Sequence, residues 1–272
     1  MPSRATRSGT DAVVDAGAGT AGDAGAPIVV WQIGVGILFL AAWEAVGHTA
    51  SGEWTSRPVL IAQRLLEWLS GPLYQHLATT AIEVLTGLAI GVLSGTFAGL
   101  LLGRSPVPAV VLRPIIVAFY SVPLVALAPL FIMFFGLDIL PKIILVSIVV
   151  FFLMFFNTFA GAGHVDDDLI AAVRLMGSTP RENFQKVVVP ACMVWIIGGI
   201  RIALPFALVA ATTGEMLAAR RGLGFLLSDA ADQFDMTGLY AALFILMLLG
   251  LAVSETASRM ERRLLRWRDA AE

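Results

Sequence analysis

Four polar groups stand inside long apolar runs of this chain, where a polar side chain must find either a partner or a passing solute. Arg201 lies eleven residues beyond Pro190, about 16 Å along a helix at ~1.5 Å per residue. A guanidinium at that depth can hold a carboxylate or sulfonate bidentately. It is a candidate for attracting an anionic solute, or for a structural pairing with a carboxylate or with carbonyls freed near Pro205. Glu215, near the far end of the same run, is either part of a gate or an ordinary interfacial glutamate. Asn157 and Thr158 can bond to a neighbouring helix or to a solute. A run containing Pro114, Pro123 and Pro129 should kink or break, because each proline frees a carbonyl. Irregular backbone at membrane depth is tolerated only where protein or a water-filled cavity receives it, which makes Ser121, Val122 and Pro123 candidates for lining a pathway.

Bond-making chemistry is not expected. The chain has no GxxxxGK[ST] phosphate loop, and its serines and histidines form no nucleophile elbow. His48, His76 and His164 share no helical spacing, so no metal site is expected. The single cysteine, Cys192, has no disulfide partner and reads as packing. Gly222-Leu223-Gly224 lacks the strand and helix of a nucleotide motif and reads as a turn. No basic surface interleaved with aromatics suggests nucleic acid.

The most polar interior stretch is an island, His164 to Pro190, between two apolar runs. Asp166, Asp167 and Asp168 suit the positive end of a helix beginning near Leu169. Gly177 stops that helix. Thr179-Pro180-Arg181-Glu182 starts another, with Thr179 as cap, Pro180 in the first turn and Glu182 closing a capping box. Two short helices with an elbow at Gly177 are therefore expected.

The elements that carry these residues are membrane spans. With 58% hydrophobic and 14% charged residues and a mean hydropathy of +0.84, the chain is too apolar for a soluble globule. Runs of about 20 apolar residues are needed to cross a bilayer, and six candidates occur, near 28–47, 80–102, 109–135, 140–163, 190–214 and 237–258. The stretch Ser56 to Ser70, with Arg64 and Glu67, reads as an amphipathic surface helix. If both termini face the cytoplasm, basic residues are strongly biased to the inner loops, with Arg57, Arg64, Lys142, Arg220 and Arg221 alone outside. That orientation satisfies the positive-inside rule and places the island in the cytoplasm. Residues 1–27, rich in Ala, Gly, Ser, Thr and Asp, read as a disordered cytoplasmic tail rather than a signal peptide. Residues 28–258 form the membrane domain, and 259–272 a basic cytoplasmic tail.

The second span carries Gly87, Gly91, Gly95, Gly99 and Gly103. Glycines four apart advance about 40° around a helix, so they make a slowly winding groove. Another helix can pack closely there, or the groove can line a pore.

Beyond these physical readings, Ala171-Ala172-Val173, then Gly177, then Pro190 resembles the EAA loop of binding-protein-dependent ABC importer permeases, with Ala171 where that family usually has glutamate. HLATTAIEVLTGLAIGVLSGTFAGLLLG from His76, SVPLVALAPLFIMFFGL from Ser121 and FFNTFAG from Phe155 are similar to the nitrate/sulfonate/taurine branch of the family. So are GEML from Gly214, RGLGFLL from Arg221 and ERRLLRWR from Glu261. The likeness covers roughly residues 55 to 268. It implies an all-α polytopic membrane protein with six transmembrane helices of the type I ABC importer fold and a cytoplasmic coupling-helix loop. It further implies a homodimer in the inner membrane, two cytoplasmic ATPase subunits that carry the ATP and Mg²⁺, and an external solute-binding protein. No cofactor is then expected in this chain. Asp168, Ala171, Ala172, Val173, Arg174, Gly177, Ser178, Pro180 and Pro190 become the residues expected to meet the ATPase. Substrates of this branch are nitrate, sulfonates, taurine, aromatic carboxylates and pyrimidine precursors, and a small anion is the expectation here. An ion-coupled secondary transporter is the alternative; inverted repeats and buried carboxylates near the midplane would favour it.

Overall fold

The computed structural model describes residues 25–49, 55–71 and 73–265. Most of the expected tail 1–27 and the end of the basic tail, 266–272, lie outside the described residues.

The chain divides into a unit ending at Leu60 and a unit from Ile61 onward. In the first, α1 (Gly25–Thr49) is a 25-residue apolar helix, long enough to span a bilayer. Most of its apolar side chains from Val30 to Val46 are exposed, and Trp43 is half-buried.

The second unit holds the remaining spans. After the amphipathic α2 (Pro58–Leu69) come α3 (Leu73–Gly103), α4 (Pro106–Tyr120), a 3₁₀ turn (Leu124–Leu127), α5 (Ala128–Phe135) and α6 (Leu140–Gly163). The island supplies α7 (Asp167–Leu175) and α8 (Pro180–Asn183). Then follow α9 (Val189–Ala218), α10 (Leu223–Asp232) and α11 (Met236–Leu264).

Four helical stretches of this unit, together with α1, are long and apolar enough to cross a membrane. The candidate span at 109–135 is divided instead. Pro123 cannot donate a backbone bond and drives Val122 out of helical geometry, so α4 stops at Tyr120 and the chain restarts as α5. The last span also runs further than expected: α11 continues to Leu264, into the sequence read as a basic tail.

The glycine stripe sets the central packing. α3 and α6 run parallel, and each glycine of α3 meets α6 at the same sequence offset. A Cβ on Gly87 would stand 2.5 Å from Val146, one on Gly91 2.6 Å from Val150, one on Gly99 2.7 Å from Thr158 and one on Gly103 2.5 Å from Ala162. At Gly95 the obstacle is backbone, the Phe151 carbonyl at 2.5 Å. Only residues without a side chain permit this approach. α9 packs antiparallel on the other side of α6, with Gly161 under the Trp195 ring and Gly199 against Met154. Val146, Val150, Met154, Cys192, Ala203 and Ala207 fill the seams and are wholly buried. Cys192 is a free thiol in that core.

Candidate functional site

At one end of the bundle the island forms the expected elbow. Asp166 caps α7 by accepting from the Asp168 N–H, 2.8 Å, so the helix begins two residues earlier than its sequence suggests. α7 ends at Leu175, and Gly177 takes φ +90°, a left-handed conformation that costs an L-residue about 1–2 kcal/mol. Thr179 and Glu182 close the capping box on α8, and Lys186 pairs with Glu182 at 3.1 Å. Ser178 ties the elbow from both sides, its hydroxyl 2.8 Å from the Val173 carbonyl and 2.7 Å from the Asn183 side-chain amide.

The expectation of two short helices needs correction after Asn183. A π-helical turn, Phe184–Val188, carries the backbone straight into α9. Pro190 has no N–H to give, and the wider turn lets the Val189 N–H reach the Phe184 carbonyl, five residues back. The elbow is therefore mounted on the end of a long helix. Movement at α8 has no flexible joint through which to dissipate before reaching α9.

Arg104, at the end of α3, bonds to Asp167 at 2.9 Å. With Ile170, Ala171, Arg174 and Leu175 these residues line an open groove of about 440 Å³. Ala171 and Ala172 lie on α7, and both are exposed. The most prominent groups were not expected from sequence: Leu175 is 90% and Met176 86% exposed at the tip of the elbow. Two large apolar side chains are thus held out at the turn.

The opposite end of the bundle is built on charge. Glu215 on α9 is fully buried. Its carboxylate accepts from the Thr80 hydroxyl at 2.6 Å and the Gly224 N–H at 2.7 Å. Thr80 also accepts from the Leu223 N–H, and His76, stacked on Phe225, holds Gly222. Gly222 and Gly224 are required here, because a Cβ on either would collide with Glu215 or the Thr212 carbonyl. Their sequence reading as a turn is right, and the carboxylate beneath supplies the reason. The reading of Glu215 as a water-exposed interfacial residue is corrected by its complete burial.

Glu83 and Lys142 were not among the site candidates expected from sequence. Glu83 on α3 is wholly buried, with Lys142 Nζ of α6 at 3.5 Å. Lys142 is buried in the first turn of α6, within the span expected at 140–163. Glu83 and Lys142 border an open cleft of about 430 Å³ with Asp138, Arg220 and Arg221. The Thr80/Glu83 pair one turn apart on α3 was the legible signal, since together they put two polar groups on the helix face that carries Gly87.

The other candidates are dispersed. Arg201 bonds to Glu261 of α11 at 2.6 Å, and its side chain is 54% exposed in the isolated chain. Thr158 is buried in the α3–α6 seam, while Asn157 bonds to the Leu153 carbonyl of its own helix. Ser121, Val122 and Pro123 are exposed at the break between α4 and the 3₁₀ turn, with the Ser121 hydroxyl on the Val117 carbonyl.

A family model described as binding-protein-dependent transport system inner membrane component matches residues 87–266. The chain belongs to that family. Its relatives include the formylaminopyrimidine transport permease ThiX of Halalkalibacterium halodurans, 32% identical over 85% of this chain and 93% of that one. The putative aliphatic sulfonates transport permease SsuC of Bacillus subtilis is 31% identical over 86% of each. The fold is that of a type I importer permease: a MetNI methionine ABC transporter chain in an inward-facing conformation superposes with a TM-score of 0.63 at 21% identity, covering 73% of this chain and 97% of that one. This permease is thus a multi-pass inner-membrane transport subunit. The secondary-transporter alternative falls, and the buried Glu83 and Glu215 lie at one end of the bundle, not at the midplane where they would have favoured it.

Proposed function

We propose that this permease, as a homodimer, forms the pathway of an ABC importer and is driven by two cytoplasmic ATPase subunits that dock on the island. An external solute-binding protein delivers substrate to the opposite end, and both termini lie in the cytoplasm. The observation that carries this reading is the rigid elbow, with Leu175 and Met176 projecting from its tip and a groove floored by Ala171 alongside. ATP and Mg²⁺ belong to the partner subunits. Closure of the ATPase pair pushes α7 and α8, and the continuous path from α8 into α9 passes the displacement to the transmembrane bundle. Ala171 leaves out the carboxylate usual at that place; Arg174 and Arg181 supply polar contact instead.

The proposed substrate is a small solute bearing a carboxylate or sulfonate. Arg201 is already satisfied by Glu261, so support for an anion rests on Lys142, Arg220 and Arg221 around the cleft at the opposite end. The relatives named above differ in their solutes, and ligand screening of the partner binding protein by thermal shift identifies the class. Docking is tested by Leu175→Asp with Met176→Asp: the ATPase should be lost from pull-downs while the permease melts unchanged. Retained ATPase and full uptake in proteoliposomes would refute the docking surface.

A further inference from the structure

The cleft beside α3 and α6 has a buried floor and an exposed rim. Lys142 and Glu83 form the floor: the lysine side chain is 6% exposed and the glutamate not at all, with Nζ 3.5 Å from Oε1. That contact is longer than the roughly 2.7–2.9 Å of a charge-assisted bond, so the ammonium, with its three N–H groups, keeps donor capacity for a ligand. Its stem lies against bare α9 backbone, since a Cβ on Gly214 would stand 3.2 Å from Lys142 Cγ. Neither Glu83 oxygen has a hydrogen-bond donor among the described residues, so the ion pair with Lys142 is what balances this buried carboxylate. Arg220, Arg221 and Asp138 form the rim, and all three are exposed. The turn that carries the two arginines is pinned just beyond them, with the Gly222 N–H 3.1 Å from His76 Nδ1 and the Gly224 N–H on Glu215.

Charge decides what such a cleft accepts. Three cations and two carboxylates line it, so a single negative charge on a ligand completes the balance. The deepest cation is already shared with Glu83. A second negative charge on the same ligand group would meet the Glu83 carboxylate behind the ammonium, where burial leaves little water to screen the repulsion. Glu215 does not line the cleft, and its oxygens are taken by the Thr80 hydroxyl and the Gly224 N–H; any negative charge it carries adds to that repulsion.

We propose, resting on the anionic-substrate reading above, that Lys142 anchors the acidic group of the solute and that Glu83 makes the cleft select singly charged groups, sulfonate or carboxylate, over dianions such as sulfate. Lys142 is the anchor because it is the one cation of the three that is buried and held by its stem. Glu83 acts through it: the carboxylate takes up part of the ammonium's charge and leaves enough for one further anion. Arg220 and Arg221, exposed to water and salt, draw anions towards the cleft without discriminating among them.

The test is saturation-transfer NMR of methanesulfonate with the full chain in nanodiscs, at neutral pH and constant ionic strength, with empty nanodiscs as the blank. Deuterated methanesulfonate should displace the signal at a concentration on the order of tenfold lower than sulfate does. In Glu83→Gln that preference should shrink or reverse, and comparing the two proteins cancels differences of size and hydration between the ligands. Lys142→Gln added to Glu83→Gln strands no buried charge and should abolish the methanesulfonate signal. Equal displacement by the two competitors in the parent would overturn the charge selection without requiring any variant to fold, as would an unchanged preference in Glu83→Gln. Retained binding in the double variant would overturn the assignment of Lys142 as anchor. Absence of methanesulfonate binding from the parent would instead refute the anionic-substrate reading itself, and the selection with it.

Discussion

An alanine at Gly91 tests whether the glycine stripe holds α3 and α6 together. Its Cβ would lie 2.6 Å from the Val150 Cβ and 2.7 Å from the Ser147 carbonyl oxygen, against an ordinary contact of roughly 3.5–4.0 Å. The overlap is about 1 Å, and one of the obstacles is backbone that cannot rotate away. The helices must separate, at an overpacking cost of about 1–3 kcal/mol. Alanine's better helix propensity returns about 0.5–1 kcal/mol. Gly198 on α9 provides the matched control, since nothing lies within 4 Å of its added Cβ. The propensity gain cancels between the two sites, so Gly91→Ala should be about 1–3 kcal/mol less stable than Gly198→Ala. At about 2–4 °C per kcal/mol that is on the order of 5 °C in melting temperature, measurable by fluorescence in detergent. Gly91→Ala with Gly95→Ala should cost less than the two singles together, because one separation of the helices relieves both clashes. Equal melting of Gly91→Ala and Gly198→Ala, or strict additivity of the pair, would refute the close-packed seam.

Gly177→Val should strain the elbow by about 1–2 kcal/mol through its left-handed φ, and uptake should fall with ATPase pull-down while membrane insertion is unchanged. Arg201→Gln and Glu261→Gln should each lower the melting temperature, and the exchanged pair Arg201→Glu with Glu261→Arg should recover part of it; loss of uptake at unchanged stability would instead assign Arg201 to the pathway. Asp235, the cap of α11, is held below the ordinary carboxylate range. Burial raises it, but the Gly238 N–H and Arg64 outweigh that. Its stabilising effect is thus complete above the ordinary carboxylate pKa and is lost as pH falls through the lowered one; Asp235→Asn should flatten that acid limb of the melting curve. Single cysteines at Ser178 and Asp232, in a Cys192-free chain, should label from the cytoplasm and the exterior respectively, and the reverse pattern would invert the proposed orientation.

Class, spans and local punctuation were legible because they depend on nearby residues. Hydropathy over about 20 positions marks a span without reference to its neighbours. The capping box of Thr179 and Glu182 and the turn at Gly177 are closed by residues within a few positions of one another. The break near Pro123 follows from a missing N–H. The glycine stripe announced a close approach, but only the tertiary fold decided that α6 fills it, in parallel. Placing Glu83, Lys142 and Glu215 together required three spans to meet with particular faces inward, and no spacing along the chain encodes that meeting. For the same reason the carboxylate that pairs with Arg201 could not be named from sequence: Glu261 is 60 residues away and comes within reach only when α11 packs beside α9. Leu175 and Met176 read as two more apolar residues in a hydrophobic chain until the elbow held them out of every core.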